Sequence, residues 1–256
     1  MKLRTLGTGS KFCRHPLIPA CFAIEAPDCF ALIGAPAQAP ARLEALGRSV
    51  KDLDMLILLD TGSSQTAGIE ELCHIFKKQS TLPYLVAPQR VLSAVNDHFA
   101  NYCGIKLSDS FNLRATLKIT IKDQHHDEEL VLVPHPSDDI SYGLRLPNSG
   151  VFISGNCSLN EDWLFKEMQS EIILHQCSTT GSGDGHGMEE LGSLPVYLQN
   201  KMWLYGYSNN YQQVLDPLPM LFVPQNAVVF DSERRDKWLS KERYIRENSK
   251  RILNNV

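Results

Sequence analysis

The stretch Leu56–Leu72, LILLDTGSSQTAGIEEL, constrains the fold more than any other part of the chain. Met55 to Leu59 is an unbroken apolar run, short enough to be a buried strand. It empties into a polar turn, Asp60-Thr61-Gly62-Ser63-Ser64-Gln65. Beyond the turn the period changes. Ile69, Leu72, Cys73 and Phe76 stand at i, i+3, i+4 and i+7, one face of a helix. A strand that feeds a helix through a tight polar turn belongs to α/β proteins. Such turns carry chemistry, because backbone N–H groups and side chains leave the sheet there together.

The same alternation runs through the chain. Met1–Leu6 reads as a strand that runs into the turn Gly7-Thr8-Gly9-Ser10. Ala20–Ala26 and Cys29–Ile33 form a hairpin about Pro27-Asp28. Pro36 to Gly47 is an Ala-rich helix with Gly47 as its C-cap. Pro83–Ala87 is a strand and Val91 to Phe99 a helix. Thr116–Ile121 alternates like a strand, and Leu130–Val133, Tyr142–Leu146 and Val151–Ser154 are three more with short polar links. A helix over Asn160–Met168 precedes an apolar strand, Glu171–Leu174, that ends at His175. The glycine-rich loop Gly181–Gly187 leads into a helix from Met188. Met202–Tyr205, Met220–Val223 and Ala227–Phe230 are the last strands. No linker divides this body, so two sheets with helices outside are expected.

Charge separates a body from a tail. The net charge of -4 divides into -8 for residues 1–231 and +4 for residues 232–256, where eight Lys/Arg face four Asp/Glu. Nucleic acid is therefore not an expected partner of the body. In the tail Trp238, Ile245 and Ile252 recur every seven residues, which predicts an amphipathic helix with a narrow apolar seam. Such a seam packs a terminal helix on its own domain or serves a protein partner or self-association, and it is the first candidate contact surface. The seven cysteines form no CxxC pair and are odd in number, which argues against a zinc knuckle and a disulfide framework. No apolar run approaches 18 residues, so membrane insertion is not expected and the reading is a cytoplasmic protein.

The order of segments resembles the metallo-β-lactamase fold superfamily, nearest its phosphodiesterase and ribonuclease-Z-like branch. The carriers are LGTGS (Leu6–Ser10), the helix start Gly68–Leu72, HPSDDISYGLRL (His135–Leu146), FISGNCS (Phe152–Ser158), IILHQCS (Ile172–Ser178) and KMWLYGY (Lys201–Tyr207). The resemblance implies an αββα four-layer sandwich over residues 1–231, with residues 232–256 as a C-terminal helical extension. It also implies a dinuclear metal site and a homodimer. Set on Gly68–Leu72, the His-x-His-x-Asp-His ligand positions become Asp60, Gly62, Ser64 and Gln65. His135 stands at the third-histidine position, Asn156 replaces the bridging aspartate, and Gly206 replaces the final histidine. Two hydrolytic metals need several imidazoles and a bridging carboxylate, and this set lacks them.

The expectation is therefore a non-catalytic pseudoenzyme, a scaffold or regulatory subunit without cofactor. Gly62, Ser63, Ser64, Asn156 and His186 are its candidate contacts to a phosphate-bearing ligand. The alternative is a metal-dependent phosphoester hydrolase with a rearranged site around Asp60 and His135, His175 being a further weak metal candidate. Cys157 and Cys177 follow strand ends and are weighed as nucleophiles. Asp60-Thr61-Gly62 also matches the aspartic-protease signature, but no second copy exists in the chain.

Overall fold

The computed structural model describes residues 1–124, 127–178, 186–209, 211 and 220–232. The predicted tail helix and most of the glycine-rich loop lie outside the described residues, as do His125 and His126. The first half of the chain supplies β1 (Lys2–Gly7), β2 (Cys21–Ala26), β3 (Cys29–Ile33), β4 (Met55–Ile57), β5 (Tyr84–Ala87) and β6 (Asn112–Ala115). The second supplies β7 (Lys118–Ile121), β8 (Glu128–His135), β9 (Asp138–Leu146), β10 (Val151–Ile153), β11 (Ile172–Ser178), β12 (His186–Gly187), β13 (Met202–Tyr205), β14 (Leu221–Phe222) and β15 (Val228–Asp231). Helices α1 (Ala39–Ala45), α2 (Ser63–Thr66), α3 (Ile69–Phe76) and α4 (Gln89–His98) belong to the first half. Helices α5 (Glu161–Lys166), α6 (Met188–Gly192) and α7 (Val196–Gln199) belong to the second.

The strands form two mixed sheets. One runs β15-β1-β2-β3-β4-β5-β6; the other runs β14-β13-β11-β10-β9-β8-β7, with β12 attached to β11. β3, β4, β5 and β6 are mutually parallel, as are β10, β11, β13 and β14. Parallel strands aligned this way collect their C-terminal loops at one edge, and that edge carries the site.

The main core lies between the sheets, where Ile24, Leu32 and Leu56 pack with Leu144, Ile153, Leu174 and Trp203. A second core lies on the far face of the second sheet. There Phe152, Ile173, Met202 and Leu204 pack under Trp163 and Leu164 of α5, Leu191 of α6 and Leu198 of α7. The αββα sandwich is the observed architecture. No helix among the described residues is long and apolar enough to cross a membrane.

Two departures from the expected elements have plain causes. β6 was not expected, because all four of its residues are exposed and no alternation marks an edge strand of this kind. β8 and β9 are longer than Leu130–Val133 and Tyr142–Leu146, and they meet across His135↔Asp138. Their polar end looks like a loop in sequence, since Asp138, Asp139 and Ile140 are exposed and follow no apolar alternation.

Candidate functional site

The residues singled out at the family's metal positions gather at the loop edge of the sandwich. Asp60 follows β4, Asn156 and Cys157 follow β10, and Gly206 follows β13. His135 ends β8 and Asp138 opens β9. The sheets are tied together here. The Tyr142 N–H donates to the Leu59 carbonyl at 3.0 Å. Within the second sheet, the Tyr205 hydroxyl of β13 donates to the Gly155 carbonyl just after β10 at 2.8 Å.

Asp60 is buried, 4% exposed. Its Oδ1 accepts the Gly62 N–H at 2.6 Å. Its Oδ2 is buried and meets no hydrogen-bond donor among the described residues. Burial pushes this carboxyl from its ordinary 3.8 up to about 6; the Gly62 N–H pulls against that rise and the Asp138 charge adds to it.

Asp138 is the second carboxylate, and sequence reasoning missed it. It is exposed, and its Oδ2 accepts the Ser141 hydroxyl at 2.7 Å while Oδ1 accepts the Ile140 N–H at 3.0 Å. Those two donors, with His135 nearby, hold its carboxyl below the ordinary value. Its signal was present in HPSDDIS, three residues after His135, but it reads there as a polar link. Two carboxyls driven apart in this way can divide into a proton holder and a fixed anion.

His135 is engaged at both ring nitrogens. Its Nε2 donates to the Ser158 carbonyl at 3.0 Å and its Nδ1 accepts the Ser137 N–H at 3.3 Å. The ring also meets Trp163 edge-on, with centroids 5.0 Å apart. Both nitrogens are thus committed to backbone, and the residue positions the β8–β9 turn that carries Asp138.

Other expected residues are redeployed. The Gln65 Oε1 accepts the Leu59 N–H at 3.2 Å, and its side chain lies over Gly34. Gly206 has φ +79, and a Cβ there would sit 2.6 Å from Gln176 Cγ. A histidine cannot take that place without strain. Gly62 opens the space between the carboxyl and the amide: a Cβ there would lie 2.8 Å from Asp60 Oδ1 and 3.7 Å from Asn156 Nδ2. Ser63, exposed, and Ser64, half-buried, open α2, so the end of the expected turn is helical.

His175 is fully buried. It shares a face of β11 with Ile173 and Cys177, which belong to the core beneath α5–α7, whereas Leu174 faces the other sheet. His186 pairs through its backbone with Cys177, and its side chain lies outside the described residues. Burial pushes the Cys157 and Cys177 thiols up to about 12, so neither is a thiolate nucleophile near neutral pH. Asp231 pairs with Lys2 in β15 and β1, so no aspartic-protease dyad forms with Asp60.

The donor set does not fit the family's metal pair. Gly206 offers no side chain, Gln65 and both nitrogens of His135 are already engaged, and Asn156 brings no charge. Among the described residues no three His, Cys, Asp or Glu side chains gather where they can hold an ion. The expected grouping of Asp60, His135 and His175 is therefore not assembled.

Known proteins place this architecture. The chain superposes on the metallo-β-lactamase fold protein YhfI from Bacillus subtilis with a TM-score of 0.66 at 12% identity, covering 90% of this chain and 98% of that one. It superposes on the short form of human tRNase Z with a TM-score of 0.61 at 11% identity, over 90% and 98% of the two chains. In sequence it is 26% identical over 235 residues to the Anti-Pycsar protein Apyc1 of Paenibacillus sp. (strain J14), covering 83% of this chain and 91% of the relative. The family profile described as Anti-Pycsar protein Apyc1 matches residues 1–229. These proteins are named for an action, against Pycsar, and that overturns the expected non-catalytic scaffold or regulatory subunit. With its fold and nearly all of its described length accounted for, the chain belongs to the Apyc1 family.

Proposed function

We propose that the chain is a hydrolase of phosphodiesters of nucleotide size, acting in the cleft around Asp60. The observation that carries this reading is the buried Asp60 carboxyl, whose Oδ2 has no partner among the described residues and which feels the charge of Asp138. Burying such a group without a partner is costly, and protein sites retain that cost where a ligand or a proton is handled. Membership in a family named for an action supports the same reading.

Hydrolysis of a phosphodiester adds water across one P–O bond. The water oxygen bonds to phosphorus, the bond to the leaving oxygen breaks, and one proton passes from the water to the departing alcohol. A carboxyl poised near 6 can take and return that proton at near-neutral pH. Asp138 keeps its charge, Ser141 fixes its orientation, and His135 holds the turn that carries both. Gly62 leaves room for the reacting group between Asp60 and Asn156.

The test uses the full chain with bis(p-nitrophenyl) phosphate and a panel of 3′,5′-cyclic mononucleotides, with the phosphomonoester product followed by phosphorus NMR. Turnover of at least one substrate is expected. Asp60→Asn is expected to lower kcat by about 100-fold or more, with the circular dichroism spectrum retained. Absence of turnover across the panel overturns the reading, and an unchanged kcat in Asp60→Asn removes Asp60 from it.

A further inference from the structure

The mismatch between the family's metal pair and this donor set has a consequence for how the substrate is held. We infer that the cleft grips the phosphoryl group through neutral hydrogen-bond donors, foremost the Asn156 amide, without a divalent metal pair. This deepens the hydrolase reading above, because it names what meets the substrate's charge.

The argument is one of commitment, position by position. A metal needs lone pairs aimed at a common point. His135 has spent one nitrogen on the Ser158 carbonyl and the other on the Ser137 N–H. The Gln65 oxygen is taken by the Leu59 N–H. The Gly206 position is closed by backbone conformation and by the Gln176 side chain, so the missing imidazole has no room to return. Asp60 has spent Oδ1 on the Gly62 N–H, which leaves one oxygen. These are interlocking structural uses, and releasing the Gln65 bond to reach an ion would leave the buried Leu59 N–H bare.

What remains around the gap is a different kind of site. A Cβ on Gly62 would lie 3.7 Å from the Asn156 Nδ2 and 2.8 Å from the Asp60 Oδ1, so amide and carboxyl both border the space that this glycine leaves. Asn156 is exposed, and its backbone carbonyl lies 3.4 Å from the Ser141 hydroxyl on β9. An amide carries two N–H donors and no charge. It suits a phosphoryl oxygen, whereas an aspartate there would repel one. Asparagine in place of a bridging carboxylate thus exchanges a metal contact for a direct substrate contact.

Elemental analysis, turnover and phosphate binding separate the possibilities. The full chain is purified without chelator, and its zinc, manganese and iron content is measured. Inorganic phosphate binding is then measured by calorimetry before and after EDTA treatment, beside bis(p-nitrophenyl) phosphate turnover. Substoichiometric metal is expected, with phosphate binding and turnover both surviving EDTA. Asn156→Ala is expected to weaken phosphate binding by about 5- to 10-fold, the loss of one hydrogen bond, and Asn156→Asp to weaken it further. Stoichiometric metal that leaves together with phosphate binding overturns the inference, as does phosphate binding indifferent to Asn156→Ala. If phosphate binding survives EDTA and needs Asn156 while no diester is turned over, the hydrolase reading fails and the donor site stands.

Discussion

Asp60 sets folding and chemistry against each other within a single carboxyl. Its native pKa of about 6 lies above its ordinary 3.8, so the folded state holds the proton more tightly than the unfolded chain. Stability conferred by this group is present below about pH 4, declines as pH rises from about 4 to about 6, and is lost above that; the full difference corresponds to about 3 kcal/mol. Asp60→Asn keeps the shape and removes the charge. The variant is expected to be more stable than the parent at pH 7.5 by up to about 3 kcal/mol, with the gain vanishing toward pH 4. Thermal melts of both proteins across this range measure it, and a constant difference at every pH would show that Asp60 is not the titrating group. The expected outcome is a more stable and less active protein, the usual relation where a site retains a costly group. In sequence Asp60 was legible as a site residue by its place after an apolar strand. Its environment was not, because burial and the Asp138 charge arrive from segments about eighty residues away in the chain.

At the level of elements, the turns around the cleft are held by backbone demands that side-chain identity alone does not reveal. Gly206 closes β13 in the left-handed region, where only the lack of a Cβ makes the conformation easy. Gly206→Ala is therefore expected to cost about 1–3 kcal/mol, seen as a lowered Tm. A melt unchanged by the substitution would mean that the turn relaxes freely. Read as a letter, glycine here is a lost ligand; read in the fold, it is a turn that Gln176 has packed against. Gln65 shows the same divergence. Its amide takes the Leu59 N–H at the end of the strand and so serves the backbone rather than the cleft. The strands and helices themselves were readable, since Met55–Ile57 and Ile69–Phe76 follow their apolar periods closely. The cleft end of β9 was not, because the polar residues Asp138, Asp139 and Ser141 carry no period of their own.

For the molecule as a whole, two cores of unequal reach divide the stability. The intersheet core draws on both halves of the chain, from Leu3 and Leu32 to Leu174 and Phe230. Contacts so distant in sequence form and break together, so amides of β2, β3 and β11 are expected to exchange only through global unfolding. Those of β6, at an exposed sheet edge, are expected to exchange far sooner. Hydrogen exchange read by mass spectrometry measures the contrast, and equal protection would contradict the cooperative picture. The interleaved strands and helices made two sheets with helices outside legible, and the four-layer arrangement was legible through the resemblance to the metallo-β-lactamase fold. The bond from the Tyr142 N–H to the Leu59 carbonyl joins the two sheets immediately beside Asp60. A joint at that point acts as a keystone: the walls of the cleft cannot spread or slide without breaking it. Adaptation of such a cleft to a new partner molecule then proceeds by exchanging what lines it, residue by residue, while the masonry stays put.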